Sequence, residues 1–148
     1  MGKKKVVDAR FAKSKEYRAV INQIADEAKC PFCPDNFRYH KKPILKRLGG
    51  WFITPSTWTY KNSKHHFLII GKSHKEKLTE LTQTDWKSIT TLASFVIKKY
   101  KLAGGAIAMR FGETAYTGAT VCHLHMHLIV PEIKSGKRIA KTVTFPIG

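Results

Sequence analysis

The sequence predicts an α+β fold: a mainly antiparallel sheet of about five strands, with one long helix and one or two short ones. Three observations lead there. Short apolar runs bounded by Gly, Pro and Thr/Ser turn signals read as strands. Two longer segments carry apolar residues at helical spacing. The order of these segments favours antiparallel pairing. A chain of 148 residues, 43% apolar and 11% aromatic, suits one domain with a sizeable core and is not disordered.

The elements follow in order. Residues 1–13 read as a mobile basic arm. Over 17–29, Val20, Ile21, Ile24, Ala25 and Ala28 recur at helical spacing, and Pro31 stops the helix. Cys30 to Cys33 then form a knuckle. Strands are expected over 43–48 and 51–54, joined by Gly49-Gly50. A polar, aromatic loop covers 55–63. The run 66–70 (HFLII) is a buried strand closed by Gly71. Thr84 is the expected N-cap of a long helix over 85–100, with lysines 98, 99 and 101 suited to its C-terminal dipole. Gly104-Gly105 ends that helix. A strand over 106–111, a Gly/Thr loop over 112–120, a strand over 123–130 and a possible edge strand over 142–145 complete the order.

The stretch 118–131 reads GATVCHLHMHLIVP. Side chains alternate faces along a strand, so His123, His125 and His127 share one face, and Leu124, Met126, Leu128 and Val130 share the other. Two strand steps span about 6.6–6.8 Å. One imidazole then attacks a substrate while its neighbour touches the same phosphate. Neutral imidazole is a competent nucleophile near pH 7. A backbone carbonyl holding one ring nitrogen fixes the reactive tautomer. A single histidine on an apolar strand is most often a satisfied core residue; three in strict register after a Gly/Thr loop are not. His65 reads as a surface residue.

HLHMHLIVP preceded by GATV resembles the histidine-triad nucleotide hydrolases and transferases, whose signature alternates three histidines with apolar residues. HFLIIGKSH, residues 66–74, is similar to the strand and turn of the same family, with Gly71 where Pro is usual. The resemblance covers about 30–131. It implies a domain over 30–148 with residues 1–29 as an accessory arm and helix. It implies His125 as nucleophile on the α-phosphorus of a nucleoside phosphoanhydride or phosphoramidate, through a nucleotidyl-histidine intermediate. His127 would bond a phosphoryl or bridging oxygen. Gly118 and Thr120 would stabilise developing oxyanion charge, and His66 would stand near the phosphates. It also implies a nucleotide substrate and a homodimer. The family's ribose-gripping carboxylate has no counterpart between Asp35 and Glu76; Thr54, Ser56 or Asn62 are the candidates. Arg110 either holds a distal phosphate or sits on the surface. Trp51, Phe52, Trp58 and Tyr60 stack on a base or pack internally.

CPFC supplies two thiolates, half of a tetrahedral zinc site. A redox role would want a βαβ setting, whereas here the motif follows a helix and precedes Pro34. By the same resemblance, His74 and His123 complete Cys30 and Cys33. Such a closed Cys2His2 set is structural. His40 is a weaker ligand candidate, and Cys122 falls on the core face.

Lys and Arg number 27 against 10 Asp and Glu, a net charge of +17. That surplus favours polyanionic partners. Basic runs lie at 3–5, 41–47, 72–77 and 134–141. They support nucleic-acid binding or 5′-end processing as the alternative function. No run approaches the roughly 20 apolar residues of a membrane span. With unpaired cysteines and no secretory signal pattern, a cytoplasmic protein that does not engage membranes is expected.

Overall fold

A computed structural model describes residues 5–148. The first four residues of the expected basic arm lie outside it. The rest of that arm is docked. Val7 pairs with Val121 as an isolated antiparallel bridge. The Cys122 amide donates to Val6 O, and the Asp8 amide donates to Thr120 O, both at 2.8 Å. Asp8 is 5% exposed and takes hydrogen bonds from Lys5, Arg10 and Thr114. Val6 and Val7, with Ala12 beyond them, are buried with Ile21, Ile24 and Cys30 in one cluster.

Helix α1 spans Lys15–Glu27. It starts two residues before the apolar pattern because the Ser14 hydroxyl accepts the Tyr17 amide as an N-cap. Ala28 at φ 54° closes it, ahead of Pro31. A 3-10 turn, Pro34–Tyr39, follows the knuckle. Strand β1 covers only Lys46–Leu48, since Pro43 lacks an amide and its carbonyl is taken by the Thr54 hydroxyl. Gly49 and Gly50, both at positive φ, turn β1 into β2, Trp51–Pro55. Strand β3 runs over Ser63–Gly71.

Helix α2 spans Gln83–Lys99, capped by Thr82 and not by Thr84. Thr82 and Asp85 close a reciprocal capping box: the Asp85 amide donates to the Thr82 hydroxyl at 3.2 Å, and the Thr82 amide donates to the Asp85 carboxylate at 2.8 Å. Thr84 has no partner three residues on that closes such a box. Strand β4 is Ala106–Met109, and the loop after it contains a single helical turn, α3, Thr114–Thr117. Strand β5 is His125–Pro131. His123 therefore precedes the strand that was expected to hold it. Residues 142–145 form no strand; the Asn62 side chain holds Thr142 O at 2.8 Å.

The sheet order is β1-β2-β3-β5-β4, antiparallel throughout. Leu68 faces His127 and Ile70 faces His125 across β3 and β5. Alternation then sorts the two faces. Trp51, Ile53, Phe67, Ile69, Met126 and Leu128 pack on Ile89, Leu92, Ala93 and Val96 of α2. The opposite face carries Phe52, Leu68 and Ile70 under Phe32 and Phe37, together with the histidines. No helix of the described residues is long and apolar enough to cross a membrane.

Candidate active site and metal centre

Each triad histidine has a tautomer fixed by its neighbours. The His125 Nδ1 lies 2.7 Å from His123 O, and a carbonyl only accepts. Nδ1 therefore carries the proton, and Nε2 is a bare lone pair. The Tyr60 amide donates to His66 Nδ1 at 3.3 Å, so His66 holds its proton on Nε2. That proton is donated to His127 Nδ1 at 2.8 Å. His127 must then be protonated at Nε2, and among the described residues this buried atom has no hydrogen-bond partner. A bare nucleophilic nitrogen and an unpaired donor thus stand on rings 4.9 Å apart, centroid to centroid. Buried orphan donors are rare and mark a place for a ligand atom.

Burial keeps these rings neutral. It pushes His66, His123 and His125 down to about 4, and His127 well below the ordinary histidine range. Phe32 of the knuckle packs edge-on to His125 at 5.0 Å and to His123 at 5.9 Å.

His125 and His127 open into a cavity of about 410 Å³ that Gly118, Thr120, Arg110, Tyr60 and Trp58 also line. Helix α1 forms one wall: Tyr17 stacks on Trp58 at 4.9 Å, and its hydroxyl meets Thr120 Oγ1 at 2.5 Å. Arg110 is braced by the tail. Its Nε and Nη2 donate to Pro146 O, its Nη1 donates to Tyr60, and Phe145 lies under the guanidinium at 3.8 Å. Phe145 also packs edge-on to His127. Over the Tyr60 ring, at 3.1 Å from its centroid, sits the Lys13 ammonium. Partial burial and Arg110 push Lys13 down to about 8.

The structure brings together His125, His127, Thr120, Gly118 and Arg110 around this cavity. His66 stands behind His127 rather than on the wall. Asn62 lies outside, tied to the tail. Of the other ribose candidates, Thr54 is fully buried and bonded to Pro43 and His40, whereas Ser56 lines the cavity. Lys13 and Tyr17 form walls that no motif marked, and Phe145 packs on His127 and Arg110 from the tail. Of the aromatic stacking candidates, Trp58 and Tyr60 line the cavity, whereas Trp51 and Phe52 are buried in the two cores.

Cys30, Cys33, His74 and His123 converge, with one ligand atom from each within 4.8 Å of the others. Sulfur-to-Nδ1 distances are 3.3 Å for Cys30–His123, 3.4 Å for Cys33–His74 and 3.7 Å for Cys33–His123. Tetrahedral zinc ligands at its usual bond lengths stand about 3.6 Å apart. The outer nitrogens confirm the direction of the lone pairs. His123 Nε2 donates to Gly71 O at 2.6 Å, and His74 Nε2 to Glu76 at 2.8 Å, leaving both Nδ1 atoms free to ligate. The four residues fit a divalent metal. His40 is not among them; it bonds Thr54 and stacks on Phe37. Cys122 is half-exposed beside Cys30, not on the core face.

A model of the HIT domain family matches residues 61–133. Among solved structures, the chain is similar to a histidine triad nucleotide-binding protein from Candida albicans: 20% identity, TM-score 0.58, covering 77% of this chain and 86% of that one. A Zn-bound histidine triad family protein from Mycobacterium smegmatis is 20% identical, with TM-score 0.55 and coverage of 76% and 80%. A HIT family hydrolase from Clostridium thermocellum is 23% identical, with TM-score 0.54 and coverage of 75% and 96%. Curated proteins give no match. The family model lies over β3, β4 and the histidine strand, and the five-stranded sheet is that of the solved relatives: the chain carries a histidine-triad (HIT) domain, matched over residues 61–133, in a HIT-like α+β fold.

Proposed function

We propose that this HIT protein is a nucleotide hydrolase or nucleotidyl transferase acting at the α-phosphorus of nucleoside phosphoanhydrides or phosphoramidates. One observation carries the reading: the bare His125 Nε2 stands beside the partnerless His127 Nε2–H in one cavity. His125 Nε2 attacks phosphorus, and the bond to the leaving group breaks. The His127 Nε2–H hydrogen-bonds the departing oxygen or nitrogen and stabilises the charge it gains without giving up its proton; an amine leaving group takes its proton from solvent. His123 O stabilises the Nδ1–H of His125 as its ring gains positive charge. The loop at Gly118 and Thr120 offers its amides and hydroxyl to the phosphoryl oxygens. Water or another acceptor then attacks the nucleotidyl-histidine and releases the nucleotide.

Zinc in the Cys2His2 set is structural in this reading, with all four positions taken by protein. It would tie the knuckle to His123, and hence place His123 O under His125. Residues 1–29 act as an accessory unit to a 30–148 domain. A second copy pairs along the free edge of β4, where Ile107 and Phe111 are exposed. The setting is cytoplasmic. The net charge of +17 supports a second reading, in which the same pocket serves nucleic-acid ends.

A nucleotide panel tests the proposal. His125→Ala is expected to cut turnover by about 10³-fold or more, with an unchanged circular dichroism spectrum. Turnover within a few-fold of wild type refutes the role. A steep salt dependence of DNA or RNA binding, without turnover of mononucleotide substrates, favours the second reading.

A further inference from the structure

Two cations meet at the mouth of the triad and neither is neutralised. The Lys13 ammonium lies over Tyr60, whose ring stacks on His66 and His127 at 4.8 and 5.7 Å. Arg110 donates to the hydroxyl of the same tyrosine. Among the described residues, neither forms an ion pair. Glu16 lines the same cavity but pairs with neither.

Arg110 is not used up by its present bonds. A guanidinium has five N–H donors. Nε and one on each of the two terminal nitrogens are engaged by Pro146 O and Tyr60, leaving two. Lys13 has three donors, and among the described residues its ammonium takes no hydrogen-bond acceptor, lying over the Tyr60 ring. Like charges held together without an anion repel, and the arrangement is relieved by a ligand of opposite sign. The cavity offers that place next to the donor of His127, on the side where a leaving group departs.

We infer that Lys13, delivered by the N-terminal arm, joins Arg110 in binding a phosphate of the leaving group distal to the phosphorus that His125 attacks. The arm thereby makes the site selective for nucleoside polyphosphates over substrates whose leaving group is uncharged. Lys13 is a specificity-determining residue in this account. The inference rests on the nucleotidyl-hydrolase reading for its substrate, but not for its anion site.

Two measurements on the full chain test it. Calorimetry with inorganic pyrophosphate reads the anion site without chemistry. Lys13→Met is expected to weaken binding about tenfold or more, and Lys13→Arg to restore most of it, as loss of a charge-assisted hydrogen bond predicts. Turnover reads selectivity. The ratio of kcat/KM for a dinucleoside tetraphosphate over a nucleoside phosphoramidate should fall about tenfold in Lys13→Met. An unchanged pyrophosphate affinity overturns the inference. So does an equal loss on both substrates, which marks a structural role. If His125→Ala proves fully active, the function reading fails while the pyrophosphate result still decides Lys13.

Discussion

Asp8 holds the arm that carries Lys13, and its removal has a calculable cost. The carboxylate is 5% exposed and accepts hydrogen bonds from the Thr114 hydroxyl at 2.7 Å and the Arg10 amide at 3.2 Å. Lys5 and Arg10 also bond it, but their side chains remain 51% and 64% exposed, so water screens both pairs and they add little. A buried hydrogen bond to a charged acceptor contributes about 1.5–3 kcal/mol. Asp8→Ala is therefore expected to destabilise the protein by about 2 kcal/mol, chiefly through Thr114. Urea unfolding measures this as a shift in midpoint at constant slope. The pH dependence supplies a second check. Hydrogen bonding from Arg10 holds the Asp8 carboxyl well below the usual carboxylate range in the folded state. Its contribution is thus fully present above the unfolded value near 3.9, and is lost as pH falls toward the folded value. The gap between wild type and variant should be constant from about pH 7 to 5 and narrow below about pH 4. A loss under about 0.5 kcal/mol, or a gap that widens in acid, refutes the docking argument.

Other consequences follow from the metal cluster and the core. The protein as isolated should carry one zinc per chain by elemental analysis; Cys33→Ser should lose it, lowering Tm by about 5 °C or more. A metal-free wild type of unaltered Tm would contradict the structural role. Leu92→Ala empties a fully buried position on α2 and should cost about 2–5 kcal/mol. Activity per folded molecule should hold, because α2 covers the sheet face opposite the histidines; a specific loss of turnover would show coupling between the two faces.

The sheet and its histidines were legible because each rests on local pattern. The alternation of HLHMHLIV places Met126 and Leu128 under α2 and the imidazoles on the other side. The two cysteines of the ligand quartet were legible from their spacing, but the two histidines only through resemblance, since Cys30 and His123 are distant in sequence and meet only in the fold. What the pattern hid is tertiary. Residues 1–13 read as a mobile basic arm, yet Val6 and Val7 are buried against Val121. A short apolar pair inside a charged run carries too little periodicity to mark such docking. Residues 142–145 read as a candidate edge strand. Instead this part of the tail braces Arg110 through Pro146 O and Phe145. The N-cap at Thr82 was missed by two residues, because choosing between Thr82 and Thr84 needs the reciprocal partner, Asp85.

The central claim is that His125 Nε2 forms a bond to phosphorus. Rapid quench of a turnover mixture at neutral to alkaline pH, followed by peptide mass spectrometry, reads it directly. One nucleotidyl mass increment on the peptide bearing His125, transient in wild type and absent in His125→Ala, is the expected result. An increment on another residue, or turnover with no increment at any quench time, contradicts it.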